Sequence, residues 1–351
     1  MQVAPIGFLW IELAAVRLFG FSEWSLRLFP LLSGIGSLFV FRHLASRLLA
    51  GVPLVLAVGC LAVAKAPIGL SANVKPYATD LFVAVTLVTL AVEWLRRPER
   101  TIWLWSLAAV IPLALTLSYP AVFVGGAVSL GLFRPVYRSP RHNTWFAYLA
   151  FNFLLCAAFA GMLSIGTGPE FSQTQAFMND YWTAFGGFPP VAQPMHLVTW
   201  LIEVHLGDKI FCIPYGAENG GGLVSLICGG VAAIVMYRRG QQPVLSIFLA
   251  MFGLAFVAGS LQRYPYGGHN RLMQFLVPGI CVTTGLAIAA LLTRVSRDRL
   301  RQTLTAGMML ILVLFGAGVC ARDCLSPAQT GKNWFSPATN SYSVGLPPSH
   351  F

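Results

Sequence analysis

The chain has 351 residues, of which 56% are hydrophobic and only 10% are charged. A soluble protein of this length with so few charged side chains would lack a polar surface. The composition therefore excludes a soluble globular domain and indicates an integral membrane protein. The formal net charge is +11. This charge is divided among short basic loops and does not gather on one folded face, which argues against nucleic acid as a partner.

The first predicted element is a short helix over residues 5–20. Pro5 suits a helix start, and apolar side chains recur at helical spacing at Leu9 and Leu13. Glu12 makes the segment too polar to cross a membrane. We therefore expect this helix to lie in the external membrane interface.

Ten apolar segments follow along the chain. Five of them approach the ~20 residues that cross a ~30 Å hydrocarbon core, over residues 29–49, 77–95, 145–165, 272–292 and 303–321. Five shorter segments cover residues 51–66, 101–117, 120–133, 221–237 and 243–261. The sequence thus predicts an all-α integral membrane protein with about ten transmembrane helices plus interfacial helices. Residues 1–321 form one polytopic membrane domain in this interpretation.

Arginines mark one end of these segments. Fourteen of them fall on the same side of the predicted bundle, against only three acids, whereas the other side has nine cations and nine acids. The positive-inside rule assigns the arginine-rich side to the cytoplasm, so we predict a multi-pass protein of the cytoplasmic (inner) cell membrane. The fourteen residues are Arg42, Arg47, Arg96, Arg97, Arg100, Arg134, Arg138, Arg141, Arg238, Arg239, Arg294, Arg297, Arg299 and Arg301.

Three stretches near the start of the chain have a recognisable motif order. They are residues 4–10 (APIGFLW), 19–30 (FGFSEWSLRLFP) and 71–80 (SANVKPYATD). In this order they resemble the GT-C superfamily of polytopic membrane glycosyltransferases. The resemblance is nearest to relatives of protein O-mannosyltransferases and aminoarabinose transferases, which are glycosyltransferase family 39-like. It extends loosely over the rest of the chain and does not identify the sugar.

The resemblance implies a reaction and also an omission. In that superfamily the first external loop carries an Asp that acts as catalytic base and can help to hold a divalent cation. The resemblance implies that this chain lacks the first transmembrane helix together with that acidic loop. A fragment of a longer protein and a degenerate, inactive paralogue both stay open as explanations. No catalytic residue and no metal ligand is therefore assigned, and the cofactor is unknown apart from that divalent cation.

Sugar transfer from a polyprenyl-phosphate donor requires a base, cations that stabilise the departing phosphate and an apolar groove for the lipid. Lys75 and Tyr77 stand at the predicted external start of the span 77–95, at the level of a lipid phosphate. They are the first candidate substrate-binding residues. The alternative is that Lys75 is an interfacial anchor and that Asp80 complements the positive helix N-terminus.

The longest external segment covers residues 166–220. It includes a helix-like run in which His205 and Asp208 are three residues apart, a spacing that could let them share a metal. No second His and no third carboxylate completes such a site, so we predict no metal centre there. The acids Glu170, Asp180 and Glu218 of this segment are left without a role.

A second cationic cluster lies in the predicted external loop that precedes the span 272–292. Arginine binds phosphate in a bidentate manner, and tyrosine can stack on a sugar ring. The Gly267–Gly268 pair is expected to allow tight turns. The alternative is that the loop only anchors its helices in the interface. The candidate substrate-binding residues are Arg263, Tyr264, Tyr266, His269 and Arg271.

Residues 322–351 are rich in Ser, Pro, Asn and Gly, and we expect them to form a largely unstructured external tail. With the resemblance, the sequence predicts a glycosyltransferase. It would transfer a sugar from a polyprenyl-phosphate donor to a lipid, glycan or protein acceptor on the extracytoplasmic side, with membrane lipids as the other partner. The alternative is a non-catalytic carrier or flippase, or a degenerate paralogue that binds lipid-linked sugars.

Overall fold

The structure of the protein is a computed structural model that describes residues 4–165, 169–207, 209–210 and 220–325. Within these ranges the regular structure is helical and contains no strand. The α-helices are α1 (Ile6–Phe19), α2 (Glu23–Leu48), α3 (Val52–Ala62), α4 (Lys65–Ser71), α5 (Tyr77–Arg96), α6 (Ile102–Leu117), α7 (Ala121–Tyr137), α8 (His142–Ile165), α9 (Pro169–Ala184), α10 (Pro194–Leu206), α11 (Gly221–Arg238), α12 (Gln242–Ser260), α13 (Val277–Leu292) and α14 (Asp298–Leu325). A 3₁₀ helix, Asn270–Leu276, leads into α13.

Each of the ten apolar segments coincides with helical structure. In the described part of the chain, seven helices are long and apolar enough to cross a membrane, and the bent pair α3 and α4 would make an eighth. Helices α6 and α7 are apolar but shorter. The protein is therefore an all-α, multi-pass membrane protein, and the number of about ten spans stays a prediction.

The segment predicted as one helix over residues 51–66 is broken. Helix α3 ends at Ala62, and α4 begins at Lys65 at an angle of 48° to it. Pro67 explains the break, because it has no N–H to donate to the carbonyl of Val63 and its ring would collide with that turn. Ala64 instead adopts extended backbone angles, with φ −69° and ψ 115°.

The two ends of the chain's membrane region differ slightly from the sequence prediction. Helix α1 has nearly the predicted bounds and packs on α2 and α6. The Ser22 side chain caps α2 by accepting a hydrogen bond from the Ser25 N–H at 3.1 Å. Helix α14 runs to Leu325, past the predicted end at residue 321. The rest of the predicted tail lies outside the described residues, as do 166–168, 208 and 211–219 of the long external segment.

Helix α5 is the central element of the bundle and packs against α2, α6, α7 and the 3₁₀ helix. At its arginine-rich end the Glu93 carboxylate is 2% exposed. It accepts a hydrogen bond from Arg47 Nε at 2.5 Å and lies 2.7 Å from His43 Nε2. These bonds fix α2 to α5 on the side opposite to the Lys75 region. The start of α5 is thereby held in a packed framework.

Glycine allows two other close helix contacts, as is common where helices pack within membranes. A Cβ atom at Gly285 of α13 would lie 2.5 Å from the carbonyl oxygen of Pro53 at the start of α3. One at Gly131 of α7 would lie 2.8 Å from the carbonyl oxygen of Pro243 in α12. These contacts bring α12 and α13 to the core and so position the loop between them.

Candidate functional site at the arginine-poor end

Four parts of the chain converge at the arginine-poor end of the bundle. They are the turn before α5 with the first turn of that helix, the junction of α6 and α7, the loop between α12 and the 3₁₀ helix with the start of that helix, and the pair α9 and α10. We call the group that they form the polar cluster. Its members are Lys75, Tyr77, Asp80, Ser118, Trp182, Trp200, His205, Tyr264, Tyr266 and Arg271.

Arg271 and Lys75 supply the positive charge of the polar cluster. The Arg271 guanidinium carbon lies 5.9 Å from the centre of the Tyr77 ring and 5.3 Å from that of the Trp182 ring. These are cation–π distances. Arg271 Nε is buried and has no hydrogen-bond partner among the described residues. Burial, and then the charge of Arg271, lower the pKa of Lys75.

Neither cation is neutralised in the described part of the chain, since no carboxylate forms an ion pair with Lys75 or Arg271. Two neighbouring positive groups without an acid between them favour an anion in their vicinity. The flat guanidinium, stacked on aromatic faces, keeps its N–H edge for a phosphate or carboxylate. The arrangement can therefore bind an anionic group next to aromatic rings.

Tyr264 is held in place from two sides. Its hydroxyl donates a 2.7 Å hydrogen bond to the carbonyl oxygen of Leu272, and its ring packs edge-on against Phe123 at 5.0 Å. Burial, followed by the nearby charges of Asp80 and Tyr77, raises the pKa of Tyr264 well above its usual value. Tyr264 therefore stays a neutral donor and joins the loop to the base of the polar cluster.

Tyr266 is buried and connects the same loop to α10. Its hydroxyl lies 3.1 Å from His205 Nε2, while His205 Nδ1 lies 2.8 Å from the Leu201 carbonyl oxygen. A carbonyl oxygen only accepts, so Nδ1 carries the proton and Nε2 accepts from the tyrosine. Burial lowers the pKa of His205, which agrees with this neutral ring, and burial raises the pKa of Tyr266.

The two loop glycines make room for tryptophan rings. A Cβ atom at Gly268 would lie 2.5 Å from the Trp182 ring, and one at Gly267 would lie 2.8 Å from the Trp200 ring. Neither glycine has a positive φ, so neither adopts a turn conformation closed to other residues, contrary to the expectation from the sequence. The Gly267 N–H also donates to the Gly187 carbonyl oxygen at 3.2 Å. Glycine is therefore favoured at these two positions because the tryptophan rings lie close to the backbone.

Asp80 is the buried carboxyl group of the polar cluster. It is 5% exposed, and its Oδ1 has no hydrogen-bond partner in the described structure. The Ser118 hydroxyl, at the junction of α6 and α7, faces it without forming a well-aligned hydrogen bond. An acid in the first turn of a long apolar helix was visible in the sequence, but its burial depends on α7 and the distant loop.

The predicted substrate-binding residues differ in where the fold places them. Five of them come together in the polar cluster, namely Lys75, Tyr77, Tyr264, Tyr266 and Arg271. Their roles stay predictions, and so do those of the remaining two. Arg263 is exposed, and no described contact joins its side chain to the polar cluster. His269 is exposed as well, and its Nδ1 accepts the backbone N–H of Arg271 at 3.2 Å, which caps the 3₁₀ helix.

Sequence reasoning missed Trp182, Trp200 and the actual partner of His205. Asp208, which was considered with His205 as a pair of metal ligands, lies outside the described residues. Among those that are described, no group of three His, Cys, Asp or Glu side chains could hold a metal ion. A run of aromatic residues in the long external segment was the available signal for the two tryptophans.

Comparison with known proteins gives matches in structure only. No protein-family model matches the sequence, and neither does any curated protein. A crystal structure of ArnT from Cupriavidus metallidurans in the apo state matches with a TM-score of 0.51 at 17% identity, covering 92% of this chain and 54% of that one. A crystal structure of the oligosaccharyltransferase of Archaeoglobus fulgidus in the apo form matches with a TM-score of 0.53 at 12% identity, covering 90% of this chain and 48% of that one.

Another crystal structure of that oligosaccharyltransferase, in complex with Zn and sulfate, matches with a TM-score of 0.51 at 13% identity, covering 89% of this chain and 43% of that one. The chain thus spans about half the length of the solved proteins that it matches. ArnT, an aminoarabinose transferase, and the archaeal oligosaccharyltransferase are both GT-C proteins. The resemblance seen in the sequence is confirmed at the level of the fold: the chain has a GT-C-like fold.

Proposed function

We propose that the chain is a membrane glycosyltransferase that uses a polyprenyl-phosphate sugar donor. The sugar would pass to a lipid, glycan or protein acceptor on the extracytoplasmic side of the cytoplasmic membrane. The observation that carries this proposal is the pair Lys75 and Arg271, two cations without a carboxylate partner in the described structure, beside Tyr77 and Trp182. The GT-C-like fold supports the same reaction class.

The chemistry of the donor fits this arrangement. When the glycosidic bond to phosphate breaks, negative charge grows on the departing phosphate, and fixed cations stabilise it most where water is scarce. Arg271 presents N–H groups that include the unpartnered Nε. The faces of Tyr77 and Trp182 hold the guanidinium in place, and the exposed part of Tyr181 beside Trp182 offers a further ring to a sugar.

A base must also accept the proton of the acceptor hydroxyl. In the superfamily that the sequence resembles, an Asp of an external loop serves as that base. Within the described chain, Asp80 is the buried carboxyl group of the polar cluster, so it is the acid to test. An Asp80→Asn variant that transfers sugar at an unchanged rate would exclude it as the base.

The test is transfer of radiolabelled sugar from a pool of polyprenyl-phosphate donors in membranes that contain the chain. We expect transfer by the unchanged chain and a loss of about tenfold or more in Arg271→Ala and in Lys75→Ala, because each loses a hydrogen bond to a charged phosphate. Arg263→Ala, an exposed arginine of the same loop, is the matched control and should change transfer less than twofold.

The second candidate function is binding without transfer, as in a carrier or a degenerate paralogue. It is favoured by the burial of Asp80, which is 5% exposed, since the polar cluster could then hold a lipid-linked sugar without deprotonating an acceptor. Donor binding that depends on Arg271 with no transfer from any donor would favour this candidate. Absence of both binding and transfer would refute the two candidates together.

A further inference from the structure

A cavity of about 570 Å³ opens at the arginine-rich end of the bundle, far along the helices from the polar cluster. It lies between the start of α3, the end of α13 and the start of α14, with the end of α11 at its rim. No part of the proposed sugar transfer uses it. Its volume falls in the range of ~300–1,000 Å³ that is usual for small-molecule sites.

The inner wall of the cavity is apolar and made mostly of small side chains. Ala289 and Ala290 of α13 face Ala306 of α14 across it, and Leu286 and Val52 complete this part of the lining. Helix α14 touches the bundle mainly through α3 and α13. The small residues therefore leave a gap between α13 and α14 that an extended hydrocarbon chain can fill.

The rim of the cavity is polar and positively charged. Arg239, which follows α11, is exposed and has no ion-pair partner in the described structure. Arg301 of α14 donates one hydrogen bond to Asp298 at 2.6 Å and retains its other N–H groups. Gln302 and Thr293 add neutral polar groups. Two guanidinium groups against one carboxylate leave the rim with a net positive charge.

We propose that this cavity binds an anionic phospholipid of the cytoplasmic leaflet. The phosphate lies between Arg239 and Arg301, and one acyl chain runs along Ala290 and Ala306. The positive rim complements a phosphate, the apolar wall complements the chain, and the position at the arginine-rich end puts both at the depth of a headgroup. Basic pockets between membrane helices on that side are suited to such lipids.

The proposal can be tested with the full chain in neutral detergent, by native mass spectrometry with added phosphatidylglycerol. Each arginine near a lipid phosphate strengthens binding by about fivefold, so the double variant Arg239→Ala/Arg301→Ala should bind about 25-fold more weakly. The matched control is Arg238→Ala/Arg299→Ala, which removes the same charge from neighbouring exposed positions outside the cavity. It should stay within twofold of the unchanged chain.

A second variant tests the apolar wall without altering charge. Ala306 is exposed, so Ala306→Phe should fold while filling the gap, and we expect it to weaken phosphatidylglycerol binding by about fivefold or more. Equal losses of phosphatidylglycerol affinity in the two double arginine variants would show that binding depends only on diffuse surface charge, and this would overturn the proposal. Equally tight binding of phosphatidylcholine, or displacement of the lipid by millimolar inorganic phosphate, would overturn it too.

Discussion

Glu12 lies on the buried face of α1. The residue is 6% exposed, and both carboxyl oxygens are buried without a hydrogen-bond partner among the described residues. Burial raises the pKa of this group from 4.5 to about 7. Each pH unit between the pKa values of the folded and unfolded states corresponds to about 1.4 kcal/mol, so ionisation of Glu12 costs the folded protein about 3.5 kcal/mol. Replacement by glutamine should remove this cost.

The sign follows from which state holds the proton. Below about pH 4.5 the Glu12 carboxyl group is protonated in both states, and the cost is absent. As the pH rises from there to about 7, the folded protein keeps a proton that the unfolded chain has released, so stability falls. The advantage of Glu12→Gln over the unchanged chain should therefore be about 3 kcal/mol larger at pH 8 than at pH 4.5.

The assay is equilibrium unfolding in mixed detergent micelles at the two pH values, comparing Glu12→Gln with the unchanged chain. Glu23→Gln is the matched control, because Glu23 is 82% exposed and only forms a surface pair with Arg27. We expect the control to show less than about 0.5 kcal/mol of difference between the two pH values. A change in unfolding free energy on Glu12→Gln that is the same at both pH values would refute the reasoning.

Two further predictions concern packing. Gly268→Ala should destabilise the protein by about 1–3 kcal/mol and weaken donor binding, because its Cβ would lie 2.5 Å from the Trp182 ring. Its control is Gly253→Ala, whose Cβ would meet nothing within 4 Å. Equal melting temperatures for the two variants would contradict the close contact between Gly268 and Trp182. Arg47→Ala should lower the free energy of unfolding by about 3–5 kcal/mol, because it removes a cationic partner of the buried Glu93 carboxylate. Adding Glu93→Gln to this variant should recover part of the lost stability. A loss below about 1 kcal/mol, or no recovery, would show that this pair is not structural.

The helices were predictable because each apolar run is long enough to require a backbone that satisfies its own hydrogen bonds in lipid. The same pattern could not place the break between α3 and α4. That break depends on Pro67 within a run that otherwise reads as apolar. Hydropathy also cannot decide whether the short helices α6 and α7 span the membrane, since their lengths fall below the usual ~20 residues.

The polar cluster was predictable only in part. Arg263 and Arg271 look equivalent in the sequence, yet the 3₁₀ helix directs Arg271 towards Tyr77, while Arg263 stays exposed. The bond between His205 and Tyr266 joins residues 61 positions apart. Contacts of this kind depend on how separate helices pack, and no local spacing encodes them.

The most direct test of the account is the affinity of the chain for polyprenyl phosphate without a sugar, measured in nanodiscs of a neutral lipid. This measurement examines the phosphate site separately from the transfer step. We predict that Arg271→Ala weakens binding by about tenfold or more while Arg263→Ala changes it less than twofold. Equal affinities in the two variants would contradict the assignment of the phosphate to Arg271 and Lys75.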